Sequence, residues 1–165
     1  MKRFIFIPIV IISIGLSILY AANQSKYQYT PIIIERATLE NSIASMSAQK
    51  LQNPGKIFIR GIHLFVIEQF YGVHIFDNSN PSNPVSLGFI RILGCTDVTV
   101  QGKIMYAASA VDMVTLDISD FLAVKELRRE RNILPEITSP YGDIPERYTN
   151  QNRPKGTIII AWKKK

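Results

Sequence analysis

One segment of the chain occurs twice, and this repetition limits the folds that the chain can adopt. GIHLFVI at 61–67, followed by VHIFDNSN at 73–80, is matched by GKIMYAA at 102–108, followed by MVTLDISD at 113–120. Gly61 and Gly102 are 41 residues apart, and Asp77 and Asp117 are 40 apart. A period near 40 residues with β-type strands inside it is typical of stacked repeats, and in particular of β-propeller blades.

Each copy contains four short β-type segments separated by turn residues. The predicted strands are 56–60, 63–67, 72–76 and 85–90 in the first copy, and 96–100, 104–108, 113–116 and 124–127 in the second. Four short strands joined by tight turns form an antiparallel meander. We therefore predict a mainly all-β fold with two four-stranded propeller-like blades, at about 56–91 and 96–131, in a partial, open propeller.

An aspartate ends the third strand of each copy. Asp77 and Asp117 are each followed by a turn that contains serine, and an aspartate there can accept hydrogen bonds from backbone N–H groups just after it. We interpret both as structural turn residues. Calcium would need more oxygen ligands than one carboxylate per turn supplies, so we predict no metal site.

The charge of the chain is unevenly distributed. The net charge is +6, but residues 23–122 carry seven basic and eight acidic side chains, whereas residues 123–165 carry ten and five. Nucleic-acid binding would require a basic surface on the repeats, so we predict no nucleic-acid partner. The basic tail is interpreted as solvated, with an anionic surface as the alternative.

No familiar catalytic pattern is present in the sequence. Cys95 is the single cysteine, so we expect a small packed side chain and no intramolecular disulfide. His63 and His74 lie in different predicted strands and are interpreted as strand residues with satisfied hydrogen bonds. Phosphate-binding glycine loops, zinc-protease motifs and nucleophile elbows are absent from the sequence, so we predict no catalytic residues and no cofactor.

The N-terminus has the composition of an export signal or a membrane anchor. Two basic residues precede an uncharged run from Phe4 to Ala22, which as a helix would reach about 28 Å, close to the thickness of a bilayer core. Bulky residues occupy the position where a cleavage site needs a small one, so a cleaved signal peptide and an uncleaved anchor both stay open for 1–22. Either would place the rest of the chain outside the cytoplasm.

The remaining segments flank the repeats. Residues 23–55 are predicted to hold a polar spacer, an edge strand at 31–34 and an amphipathic helix at 37–47, because Leu39, Ile43 and Met46 have helical spacing. We expect that helix to cover an open side of the sheets, or alternatively to bind a partner. Residues 132–155 contain four prolines and read as a loop or linker, and residues 156–165 as a terminal strand with no partner and a basic end.

The repeats resemble a known family. VHIFD at 73–77 and MVTLD at 113–117 resemble the signature of LVIVD-repeat proteins, and NPGKI at 53–57 with DNSNP at 77–81 is similar to the exported bacterial members. The resemblance covers about residues 29–134. It implies a β-propeller-like protein of the cell surface or periplasm, often lipid-anchored and without an assigned activity. The family's propellers contain several blades and this chain two copies, so we expect a truncated member that resembles the N-terminal part.

Two functions from different classes follow from these observations. The first is an exported or membrane-anchored repeat protein with a binding or structural role toward a cell-envelope protein or ligand. The alternative is a fragment of a propeller-type enzyme whose active site needs further blades. Glu68, Asp97 and Asp112 lie at predicted strand ends and are the candidates for a binding face. Open blade faces and unpaired edge strands would also favour self-association.

Overall fold

A computed structural model describes residues 28–165 of the chain. The predicted signal or anchor at 1–22 and residues 23–27 of the spacer lie outside the described residues. The described part is mainly β, and its strands pair antiparallel. This confirms the predicted mainly β, antiparallel class. None of the helices in residues 28–165 combines the length and the apolar character that crossing a membrane requires.

Eleven strands and one short α-helix are present in residues 28–165. In chain order they are β1 (Tyr29–Glu35), α1 (Arg36–Glu40), β2 (Ala44–Met46), β3 (Pro54–Arg60), β4 (His63–Glu68), β5 (Gly72–Asp77), β6 (Val85–Arg91), β7 (Val98–Gln101), β8 (Ile104–Ser109), β9 (Asp112–Asp117), β10 (Lys125–Glu130) and β11 (Thr157–Lys164). A single 3₁₀ turn, Glu146–Tyr148, lies before β11.

The eight strands predicted in the two copies form the centres of two sheets. The first sheet has the order β3-β4-β5-β6-β2, and the second has the order β7-β8-β9-β10. In both, the first hairpin turns through two residues with glycine at the leading position, where φ is +58° at Gly61 and +59° at Gly102. Type II′ turns require such a glycine, because an L side chain resists positive φ.

The two sheets share one hydrophobic core. Alternate residues of the central strands point to the same side of a sheet, so every second apolar side chain is buried there. The largest buried members are Phe65, Ile67, Ile75 and Ile90 from the first sheet and Met105, Val114 and Leu116 from the second. Each fully buried side chain of this size contributes about 2 kcal/mol relative to exposure, so this core is the main source of stability.

The predicted helix at 37–47 is wrong beyond its first turn. The helix ends at Glu40, where the Ser42 hydroxyl and backbone N–H both donate to Leu39 O, and the side-chain amide of Asn41 donates to Ala37 O. The following residues form β2, which pairs with the free edge of β6. Leu39, Ile43 and Met46 do not share one helical face, because a strand period replaces the helix period after residue 40.

The terminal strand at 156–165 does have a partner, contrary to the prediction. β11 pairs with β1, the predicted edge strand, over seven residue pairs from Tyr29↔Lys164 to Glu35↔Thr157. This two-stranded sheet and α1 bury a second core that is formed by Leu39, Ala110, Val111, Ile158 and Ile160. The two ends of the described chain therefore close against the β8–β9 turn and do not lie free.

Residues 132–155 contain no strand, but they are attached to the sheets. The Trp162 indole donates from Nε1 to Ile137 O at 2.8 Å. Arg153, which is 5% exposed, forms an ion pair with Glu136 and donates to Tyr148 O and Thr157 O. These bonds hold the segment beside the second sheet.

Candidate functional site

The three predicted binding residues do not meet in one place. Asp97 lines a groove on the second sheet, Glu68 lines a separate cavity on the first sheet, and Asp112 lies in a buried ion-pair network. Three strand ends thus give three environments, because each belongs to a different turn and a different sheet face.

The Asp112 carboxylate is fully used by the fold. It is 0% exposed and accepts two bonds from Arg36 Nη1 at 2.8 and 2.6 Å, one from Arg129 Nη1 at 3.1 Å and one from Asn132 N at 3.0 Å. A carboxylate has about four acceptor positions, and all are filled. Burial alone would raise the pKa of Asp112, but the bonds from Arg36, Asn132 and Arg129 outweigh it and lower the pKa. Asp112 therefore joins β1 and α1 to the second sheet.

Asp77 and Asp117 occupy matching turns. Asp77 Oδ1 accepts bonds from Ser79 N at 2.8 Å and Ser79 Oγ at 2.5 Å, and Asp117 Oδ1 accepts the same pair from Ser119 at 2.8 and 2.6 Å. The bonds from these serines lower the pKa of both aspartates. Both carboxylates are thus ionised turn residues at neutral pH.

A groove of about 620 Å³ is the largest concave feature described on the molecule. Its floor is the outer face of the second sheet, where Thr99, Tyr106, Ala108 and Met113 lie on neighbouring strands. Its wall is segment 134–138, which the bonds of Trp162 and Arg153 hold in place. The groove is of a size typical for small-molecule or peptide sites, and its floor is largely apolar.

Two strained residues lie at one end of this groove. Phe70 has φ of +65° and Ala110 has φ of +54°, values that L residues rarely adopt. Phe70 N donates to Cys95 O at 2.7 Å, Gly94 N donates to Phe70 O at 2.9 Å, and Ala110 N donates to Gly94 O at 3.1 Å. Strained backbone persists where surrounding bonds impose it, and such positions cluster at functional sites.

The polar groups of the groove suit binding better than catalysis. Asp97 is paired with Lys56 at 2.5 Å, with both side chains more than half exposed, and Glu136 is paired with Arg153. Among the described residues that line the groove there is no histidine, cysteine or lysine. The threonines there consequently have no partner base that would activate a hydroxyl as a nucleophile.

A second cavity, of about 390 Å³, lies on the outer face of the first sheet. The pairing of β4 with β5 places Glu68 and His74 on this face, and His74 Nε2 lies 3.0 Å from Glu68 Oε2. Segment 47–53 covers the pair, because Gln52 N and Asn53 N both donate to the Glu68 carboxylate. The sequence analysis treated Glu68 and His74 separately and missed this pair, although their even spacing across a hairpin is a usable signal.

The other reactive side chains have ordinary environments. Cys95 is completely buried, and burial raises the pKa of its thiol to about 12, so it is not a thiolate nucleophile. His63 packs edge-on against Phe121, with ring centroids 5.1 Å apart. Within residues 28–165, no group of three or more histidine, cysteine or acidic side chains could hold a metal ion.

Comparisons with known proteins leave the site to be interpreted from its own geometry. No protein-family model, no curated protein and no solved structure matches this chain.

Proposed function

We propose that this chain is an exported or membrane-anchored, propeller-like repeat protein that binds a cell-envelope partner and has no catalytic activity of its own. The observation that carries the proposal is the groove between the outer face of the second sheet and segment 134–138. The N-terminal hydrophobic run and the resemblance to exported LVIVD-repeat proteins support the location.

The form of the groove favours an extended peptide segment as the bound group. It is long and open, with an apolar floor around Tyr106 and Met113 and a carboxylate at one end from Asp97. Side chains of an extended segment can insert between Tyr106 and the 134–138 wall, while Asp97 and the threonines accept or donate hydrogen bonds. Tyr106 is 39% exposed, which leaves an aromatic surface available for such a contact.

Site-specific cross-linking in cells tests this proposal. The full chain is produced with a photo-cross-linking phenylalanine derivative at position 106, and the cell envelope is separated from the cytosol after irradiation. We expect the chain in the envelope fraction, and one adduct of defined mass that contains a second protein. The matched control carries the same derivative at position 122, because Leu122 is an exposed apolar residue outside the groove.

Three results would contradict the proposal. Recovery of the chain from the cytosol would exclude an envelope role. The same adducts from positions 106 and 122 would show unspecific contact. The absence of an adduct at position 106 in a folded, exported chain would show that the groove is empty in cells.

A further inference from the structure

The second cavity contains an unusual polar atom. His74 is 1% exposed, and its Nδ1 is the buried side-chain nitrogen or oxygen that has no hydrogen-bond partner in residues 28–165. Buried polar groups are nearly always paired, since leaving one unpaired costs about 1–3 kcal/mol. The cavity that His74 lines therefore lacks a group that would complete its hydrogen bonding.

The bonds around Glu68 determine which nitrogen of His74 is free. Burial alone would raise the pKa of Glu68, but hydrogen bonds from Gln52 N, His74 and Asn53 N lower it, so the group is an ionised acceptor at neutral pH. His74 Nε2 must then carry a hydrogen and donate it to Glu68. Nδ1 is left as an acceptor in the neutral ring or as a donor in the protonated ring.

The charges around the cavity are balanced. Lys50 supplies one positive charge, Glu68 supplies one negative charge, and the other polar groups of the wall are the amides of Gln49, Gln52 and Asn53. A strongly charged ligand would leave one charge uncompensated. Neutral groups that both donate and accept hydrogen bonds fit this wall, and a hydroxyl pairs with Nδ1 in either state of the ring.

An aromatic surface completes the cavity. The Tyr71 ring stacks on Phe89 at 5.7 Å between centroids and 25° between planes, and Tyr71 remains 48% exposed. The His74 ring packs on the same Phe89 at 4.7 Å. A flat apolar face beside amides and a carboxylate is complementary to a sugar ring, which has C–H groups on its faces and hydroxyls around its edge.

We propose that the cavity formed by Glu68, His74, Tyr71 and segment 49–53 binds a neutral pyranose sugar. A hydroxyl of the sugar pairs with His74 Nδ1, and one face of the ring lies on Tyr71. The volume of about 390 Å³ far exceeds the roughly 30 Å³ that one water occupies. Among the described lining residues none is shared with the groove on the second sheet, so the sugar site is tested independently of the proposed function.

Nuclear magnetic resonance of the histidine rings tests this site. The full chain, labelled with ¹⁵N-histidine, is purified in a detergent without a sugar headgroup and titrated separately with glucose, N-acetylglucosamine, glycerol and inorganic phosphate. The chain has two histidines, so His63 serves as an internal reference. We expect glucose or N-acetylglucosamine to shift the Nδ1 resonance of His74 in a saturable way while His63 stays unchanged.

A matched pair of variants tests the contribution of the aromatic face. Tyr71→Ala is expected to weaken sugar binding about fivefold, the size of one aromatic contact. Tyr141→Ala is the control, because Tyr141 is 49% exposed and lies outside the cavity. Both substitutions are at exposed rings, and an unchanged His63 resonance shows that each variant is folded.

Several results would overturn the sugar site. A His74 resonance that none of the probes changes would mean that Nδ1 pairs with a buried water. A response to phosphate without a response to either sugar would identify an anion site. Equal responses to glycerol and glucose, or equal weakening by the two tyrosine variants, would show that the ring face of Tyr71 adds nothing.

Discussion

Asp112 shows how one residue can change its meaning between sequence and structure. In the sequence it is an acidic residue at a strand end, which suggested a binding face. In the structure its position after the Ala110 turn places it between Arg36 and Arg129, residues that are 76 and 17 positions away. Their separation in the chain hides this network from sequence analysis. His74 has the same history, since its Glu68 partner was visible but their cover of 49–53 was not.

The substitution Asp112→Asn tests the residue scale. It removes a buried charge and leaves Arg129, whose side chain is 6% exposed, with its Glu126 partner alone. We expect the free energy of unfolding to fall by about 2–4 kcal/mol, measured by urea denaturation at pH 7. The control Asp97→Asn affects an exposed pair and should cost less than about 0.5 kcal/mol.

The same pair of proteins also predicts a pH dependence. The folded state holds the pKa of Asp112 below its ordinary value, so its stabilisation is complete above the unfolded pKa and is lost as the pH falls through the folded pKa. The stability difference between the parent chain and Asp112→Asn should therefore be largest near neutral pH and shrink in acid. A difference that stays constant from pH 7 to pH 3 would show that charge is not the cause.

Elements were recognised from the sequence where the pattern was local. Strong β-branched alternation located the strands of both copies and the edge strand β1, because a half-buried strand imposes period two on its own residues. The segment after Glu40 was mistaken for helix, because Leu39, Ile43 and Met46 fit helical spacing equally well. The free edge of β6 decided between the two forms, and no local signal reports that edge.

The pairing of β1 with β11 makes a testable claim at the scale of elements. Ile160 is 7% exposed in the second core, whereas Ile32 on the same small sheet is 42% exposed. We expect Ile160→Ala to reduce the free energy of unfolding by about 3 kcal/mol, and Ile32→Ala by less than about 1 kcal/mol. Equal effects of the two substitutions in urea denaturation would show that the terminal sheet is not packed as described.

The whole molecule depends on a core that both sheets share. Phe65 and Ile67 from the first sheet and Met105 and Val114 from the second belong to the same buried cluster, so neither sheet retains its core without the other. Repeat arrays gain stability from such interfaces between neighbouring units, and the units of a short array unfold together. The two meanders should therefore behave as one cooperative unit.

Hydrogen exchange tests that cooperativity. We expect the amides of β5 and β8, the central strands of the two sheets, to have opening free energies within about 1 kcal/mol of each other. The substitution Ile67→Ala lies in the first sheet, yet it should lower both values by a similar amount, about 2–4 kcal/mol. Loss of protection in β5 with none in β8 would mean that the sheets open separately.

The sequence by itself determined the mainly β class, the positions of the eight central strands and the turn residues Gly61 and Gly102, because strand period and turn chemistry act over neighbouring residues. Only the tertiary structure decided that β2 is a strand, that β11 pairs with β1 and that Glu68, Asp97 and Asp112 lie in separate environments. These outcomes depend on contacts between residues far apart in the chain, whose free energy exists only once the sheets have packed.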